Sequence, residues 1–263
     1  MISKIKEIYK WRELLFILAM KDLKIKYRQA TGGFGWMLVM PMVQAVIFTF
    51  IFRFLFKIKI QNYPLFLLSG LFSWSFLRSS LDGAANSILS NSNLIKKSYF
   101  PMEVLPLSNI ITNLINYLLS LAILFILSGL FYKVPLFPAL LWLPLIIFIQ
   151  LILIIGICLF LAGLNTVYRD VQFAMEIILL IWFYATPVVY SLEMVKNALP
   201  ATLFTLYEIN PIVGIILGYQ NIFVQGTAPD IGLLFLSAIA AVIFFILGFI
   251  SFRHYEDIFV DII

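Results

Sequence analysis

The chain has 263 residues, 63% of them hydrophobic and only 12% charged, with a net charge of +5. That composition excludes a soluble domain of this length and predicts an integral membrane protein with one domain, 1–263. The single cysteine, Cys158, lies in an apolar run, which excludes an intrachain disulfide and a cysteine-rich metal site.

Met1 to Arg12 is highly charged and lacks a small-residue cleavage site, so it does not read as a removable signal. Lys4, Lys6, Lys10, Arg12, Lys21, Lys24, Lys26 and Arg28 all precede the first apolar run. Basic residues concentrate on cytoplasmic flanks, which places the N-terminus inside. Residues 13–30 are too short and too charged to span, and read as an interfacial helix whose lysines snorkel to the headgroups, halted by Gly32 and Gly33. The bland alternative is a charged tail that only sets topology.

Crossing about 30 Å of hydrocarbon takes about 20 apolar residues as a helix. On that measure six spans are expected, at about 34–56, 63–89, 107–131, 136–164, 173–190 and 231–252. The first carries Pro41 and Gln44, while Arg53, Lys57 and Lys59 beyond it are outweighed by the N-terminal cluster. The second is serine-rich and places Arg78 and Asp82 four residues apart on one helical face. A lone charge at mid-bilayer costs about 2.5–3.5 kcal/mol on insertion scales, so this intramembrane pair should face protein or water. Mutual neutralisation and the lining of a pathway both account for it. A polar loop at 165–172 with Arg169 fits the inner side, and Thr186-Pro187 should kink the fifth span near its outer end.

Residues 195–224 are irregular: two short apolar arms meet at Asn210-Pro211, which suits a re-entrant segment better than a continuous span. Dipping in and out leaves both termini cytoplasmic. A seventh span would put the acidic C-terminal tail outside.

The sequence holds no phosphate-cradling Gly-x-x-x-x-Gly-Lys-Ser/Thr loop and one histidine, His254, after the last span. No convergent set of acids and bases suggests a catalytic site, no metal site is indicated, and two similar halves with matched broken helices are not seen. Aromatic residues reach 16%, and most read as packing, lipid-facing or interfacial rings. Flat rings also suit the apolar face of a sugar, which makes Trp36, Trp182, Phe183 and Tyr184, with Gln44, the candidates for a channel lining.

Several runs taken together carry a resemblance: KDLKIKYRQATGGFGW with Pro41, YPLFLLSGLFSWSF, NSNLIKKSYFPMEVLPLS, LNTVYRDV, and WFYATPVVY followed by the Asn210-Pro211 pair. In this order they resemble the permease subunit of ABC exporters for bacterial polysaccharides, the O-antigen and teichoic acid export family. One departure is Met40, where a polar residue is expected before Pro41. The resemblance implies an all-α polytopic fold with an interfacial helix, six spans and a re-entrant hairpin before the last. It also implies a second copy of the chain forming a channel, two cytoplasmic ATPase subunits that bind the ATP and magnesium, a lipid-linked polysaccharide as cargo, and the bacterial cytoplasmic membrane as location. The chain itself would bind no cofactor and no nucleic acid and catalyse no covalent step, and Glu208, Asn210 and Pro211 would shape an outer gate. A permease for drugs or lipids is the nearest alternative, and a membrane-embedded transferase a more distant one.

Within this frame the polar stretch Ser90 to Pro106 reads as an ATPase-coupling element, with a short helix at about 92–100. Asn91, Ser92 and Asn93 can cap that helix and Pro101 ends it. Leu94, Ile95, Tyr99 and Phe100 are expected to seat in a groove of the ATPase, with Asn93, Lys96 and Lys97 around them. A basic loop with a purely topological role is the plainer alternative.

Overall fold

The structure is a computed structural model that describes residues 7–28, 35–55, 57, 60–168 and 170–262. Among these there is no strand. Gly32, Gly33, Lys59 and Arg169, named above, lie outside the described residues, as does the side chain of Trp36.

Eleven α-helices organise the described chain: α1 Arg12–Arg28, α2 Gly35–Thr49, α3 Tyr63–Ser90, α4 Ser92–Lys97, α5 Val104–Ile126, α6 Leu143–Val167, α7 Val171–Tyr184, α8 Leu192–Ala198, α9 Ala201–Glu208, α10 Pro211–Gln220 and α11 Ile231–Ile262. Wider π turns extend α2 through Leu55, α5 through Phe131 and α10 through Gln225. Three helices are long and apolar enough by themselves to cross a bilayer: Val104–Phe131, Ala139–Val167 and Ile231–Glu256. α9 and α10 pass together as a fourth, but they meet at an 81° bend. α3, at 28 residues, has the length, about 42 Å at 1.5 Å per residue, and falls short in hydropathy because of its serines and charges.

Two helices depart from the expected boundaries. α7 stops at Tyr184, so Thr186-Pro187 lies beyond its end instead of kinking it. A residue preceding proline is pushed out of the helical region, and the chain turns there instead. α11 runs on through the acidic tail to Ile262, well past the expected 252. Phe252 and Phe259 lie two turns apart on one face, both fully buried with ring centroids 5.4 Å apart, and this anchors the last turns.

The core is formed by α3, α5, α6 and α10, and α6 lies along α11. That last contact depends on two glycines. A Cβ on Gly156 would sit 2.5 Å from the backbone of Phe245, and one on Gly248 would collide with the Gly156 carbonyl. Small residues let membrane helices approach until their backbones touch, which replaces the hydrophobic drive that lipid removes. Gly156→Leu is therefore expected to cost more than the roughly 1–3 kcal/mol of ordinary overpacking. Size-exclusion chromatography of the detergent-extracted chain should show its monodisperse peak lost.

Polar side chains cross-link the helices where no water competes. Gln150 Nε2 donates to the Ser73 carbonyl at 3.0 Å, Tyr219 Oη donates to Gln150 Oε1 at 2.8 Å, and Asn165 Nδ2 donates to the Ala85 carbonyl at 2.9 Å. These bonds join α3, α6 and α10 in one register. The two ends of the bundle differ. At one, here the Ser90 end, Leu18, Ile88, Phe100, Val104, Leu159, Phe252 and Phe259 share a second core, so α1 and the tail of α11 meet there. At the opposite, Tyr63 end, Tyr63 Oη donates to the Val189 carbonyl at 2.8 Å and Ser128 Oγ to the Phe223 carbonyl at 2.6 Å.

Candidate docking helix and translocation surfaces

At the Ser90 end, α3 turns into α4 with only Asn91 between them. Asn91 occupies the N-cap position of α4, but its side chain does not cap: Nδ2 donates back to the Ser87 carbonyl at 2.8 Å. The expected capping by Asn91, Ser92 or Asn93 is thus replaced by an amide holding the corner, and the Asn91 carbonyl takes the Leu94 and Ile95 N–H groups. α4 is one and a half turns long, about 9 Å. Ser98 then adopts extended backbone.

Alternation along that extended stretch sends neighbouring side chains to opposite sides. Tyr99 is 92% exposed, while Phe100 is 5% exposed and packs 6.4 Å from the Trp11 ring. Phe100 is therefore part of the chain's own core, not of the docking surface expected for it. Leu94 and Ile95 are half-buried against the same core. What stays available is Asn93, Lys96, Lys97 and Tyr99.

Along α3 a polar stripe, Ser75, Arg78, Ser79, Asp82 and Asn86, follows helical spacing on one face. Arg78 Nε lies 3.8 Å from Asp82 Oδ2, with side chains 59% and 45% exposed. The pair exists, but it faces away from the chain's own core. Glu176 on α7 is within electrostatic reach of Asp82, and Gln44 on α2 is also exposed. Below the stripe, Ser75, Ser79, Asn113, Asn116 and Ser120 line a cavity of about 30 Å³ between α2, α3 and α5, room for about one or two waters. Asn113 Nδ2 donates to the Ser79 carbonyl at 3.2 Å, and Asn116 Oδ1 has no partner among the described residues.

An exposed ion pair contributes about 0–1 kcal/mol in water, but an orphaned charge inside a bilayer costs several times that. Arg78→Ala is accordingly expected to lower the yield of inserted protein severalfold by leaving Asp82 without its partner. Adding Asp82→Ala should restore the yield, as read by quantitative immunoblotting of membranes.

The break between α9 and α10 is held by one side chain. Asn210 Oδ1 accepts from Trp182 Nε1 at 2.9 Å and from the Ile212 N–H at 3.2 Å. Its Nδ2 donates to the Ala185 carbonyl and to Thr186 Oγ1, both at 3.1 Å. Pro211 follows as the first residue of α10, and Glu208 closes α9, half-buried. Trp182 in turn meets Trp74 edge-on at 6.1 Å, and Phe183 meets it at 5.4 Å. Both rings were expected to offer flat faces to a channel. Both are instead partly buried: Trp182 gives its indole N–H to Asn210, and Phe183 packs against Trp74. Of the expected aromatic lining only Tyr184 is exposed among the described side chains, and its carbonyl receives the Tyr190 hydroxyl.

Among the described residues no group of three or more His, Cys, Asp or Glu side chains converges. Cys158 is fully buried beside the Ser80 carbonyl. His254 is exposed at the Ser90 end of α11.

Residues 13–224 match the model of a known family, the ABC-2 type transporters. The chain belongs to the ABC-2 type transporter family. It is a multi-pass membrane protein and the permease component of an ABC transporter. Over 230 residues it is 32% identical to an O-antigen export system permease protein RfbA of Myxococcus xanthus, covering 88% of this chain and 87% of that one. Two proteins of the same name from Klebsiella pneumoniae are 28% and 29% identical over 215 and 214 residues, covering 82% and 81% of each chain.

Several residues that shape this ABC-2 permease were not singled out from the sequence. Asn109, Asn113 and Asn116 recur at helical spacing in the apolar run of α5, and Gln150 interrupts that of α6; amides in such runs are the signal that was present. No comparable signal marks which ring of Tyr99 and Phe100 turns inward.

Proposed function

We propose that the chain is the channel-forming permease of an ATP-driven exporter of lipid-linked polysaccharide, such as O-antigen, in the bacterial cytoplasmic membrane. The observation that carries this reading is the end-to-end similarity to O-antigen export permeases, 81–88% of this chain in three relatives. The polar stripe of α3 adds a physical reason to invoke a second copy. Arg78 and Asp82 face outward from a single chain, and a bilayer does not tolerate them there, so water in a shared channel or a partner chain must cover them.

In this assembly two permeases enclose the path and two cytoplasmic ATPase subunits bind ATP and magnesium. The Ser90 end is cytoplasmic: Lys21 and Lys24 of α1, Lys96 and Lys97 of α4, and Arg253 of α11 all lie there. Both termini are then inside. α1 packs on α5 through Leu18, Ala19 and Leu23, with Thr112 Oγ1 donating to the Ala19 carbonyl at 3.1 Å, and turns Phe16, Ile17 and Ile25 outward to lie in the headgroup boundary. A lipid-linked cargo entering from the inner leaflet meets this helix first. ATP-driven motion of the partner reaches the spans through α4, since α4 continues directly from α3, which carries the stripe. Near the Tyr63 end, Glu208, Asn210 and Pro211 shape the outer gate, with Asn210 as the positioning residue that fixes the bend. The chain's own work is binding and movement without a covalent step.

Deleting the gene should abolish the surface polymer and leave its lipid-linked precursor inside the cell. The purified permease should hydrolyse no ATP until its ATPase subunit is added. Persistence of the surface polymer in the deletion strain would turn the reading toward a permease for another amphiphile, and turnover of a lipid-linked substrate by the chain alone would turn it toward a transferase.

A further inference from the structure

At the Tyr63 end, away from the α3 stripe, lies a cavity of about 360 Å³ between the start of α3, the start of α8, the end of α10 and the start of α11. Its size falls within the roughly 300–1,000 Å³ of small-molecule sites. The polar residues lining it are Gln61, Ser191, Glu193, Gln220, Asn221, Gln225 and Asp230, and no lysine or arginine is among the described lining residues. Phe66 and Leu217 supply apolar wall.

Gln220 marks this as more than a collection of surface amides. It is 3% exposed, and its Nε2 donates to the Pro187 carbonyl at 3.0 Å, which fixes the orientation of the amide. Oε1, the other end, is buried and accepts no hydrogen bond from any described residue. A buried acceptor on a residue that lines the cavity, with no donor among the described residues, would be satisfied by a donor entering from the cavity side. The walls are equally fixed. Asp230 Oδ1 caps α11 by accepting the Leu233 N–H at 3.1 Å. Gly226, at φ 69°, turns the chain after Gln225 against the Pro135 carbonyl, where any Cβ would collide.

We propose that this cavity binds an uncharged sugar unit of the polymer as it leaves the transporter. Carboxylates and amide oxygens accept from hydroxyls, amide N–H groups donate to them, and Leu217 and Val224 supply apolar wall for a sugar's C–H groups. Phosphate is disfavoured by two carboxylates with no lysine or arginine among the described lining residues to offset them. A divalent cation is disfavoured because no third carboxylate, histidine or cysteine converges with Glu193 and Asp230 among the described residues. This inference rests on the polysaccharide reading, and gives it a sugar contact remote from the α3 stripe.

The test uses the permease–ATPase complex in nanodiscs and, as probe, lipid-free oligosaccharide released by mild acid from the host's own surface polymer. Saturation-transfer NMR titration should show the probe binding the wild-type complex, and at least fivefold more weakly to Glu193→Ala combined with Gln225→Ala. Gln220→Leu, checked for assembly by size exclusion, should weaken it similarly. Lys196→Ala, on α8 but not lining the cavity, should bind as wild type. Equal binding by the wild type and both site variants overturns the inference and leaves the exporter reading intact. Displacement of the probe by inorganic phosphate or by calcium also overturns it. A host that keeps its surface polymer after deletion of the permease overturns both.

Discussion

A Tyr99→Glu permease is expected to insert and fold normally yet retain its ATPase subunit at least tenfold more weakly in co-purification, with surface polymer reduced to match. Tyr99 is 92% exposed beside Lys96 and Lys97, so a carboxylate there breaks no contact within the chain. Large exposed aromatics that become buried at an interface are the residues whose loss costs about 2 kcal/mol or more, which exceeds the 1.4 kcal/mol of a tenfold change. Phe100→Glu should behave differently. Its ring belongs to the core shared with Trp11, Val104 and Phe252, so the charge should disorder the Ser90 end and lower the yield of folded protein. Retention of the ATPase by Tyr99→Glu at wild-type strength would reduce α4 to a topological corner.

The second large effect is expected at Asn210. Replacing it with leucine keeps the bulk but removes all four hydrogen bonds, leaving the Trp182 and Ile212 N–H groups without their acceptor. At about 0.5–1.5 kcal/mol net for each bond, the bend loses roughly 2–6 kcal/mol of its definition. Export should fall at least tenfold while ATPase binding through α4, at the other end of the molecule, is kept. Asn210→Asp retains the acceptor for both N–H groups and should lose less. The ordering wild type, aspartate, leucine in surface polymer is the measurement, and equal export by all three would show that Asn210 does not position the gate.

Together the two variants separate coupling from gating. The short distance in sequence between α3 and α4 makes the first a matter of transmission through a corner, and Tyr99→Glu should fail at the partner. The Asn210 bonds tie α7 to α10, so that variant should fail at the exit with the partner still attached. Gly156→Leu, by contrast, should fail before either question arises, because it separates α6 from α11.

Much of this molecule is legible without coordinates because the bilayer imposes simple rules. A helix must satisfy its own backbone, and long apolar runs can do little else. The all-helical polytopic class, the interruption after Ser90 and the break at Asn210-Pro211 all follow from that constraint and from where proline, asparagine and charge interrupt the runs. The basic N-terminal cluster likewise carries its orientation signal in composition alone.

Facing is a different matter. In a soluble helix the alternation of apolar and polar residues tells which side is buried, but lipid is as apolar as a protein core, so the pattern fades. Phe173, Ile177 and Ile181 of α7 are exposed while Met175 and Leu179 are buried, and their chemistry does not distinguish them. For the same reason Trp182 and Phe183 looked available and are partly buried. Tyr99 and Phe100, outside the spans, looked equivalent because the extended backbone after α4 decides which of two neighbours turns inward. The runs of residues settle that this chain lives in a membrane as helices, and where those helices are interrupted. Only the tertiary structure settles which polar groups meet: Gln150 with Ser73 and Tyr219, Asn210 with Trp182, and Gln220 with the Pro187 carbonyl. Each of those meetings joins residues far apart in the chain, and nothing local in the sequence can encode a hydrogen bond between segments that only the fold brings together.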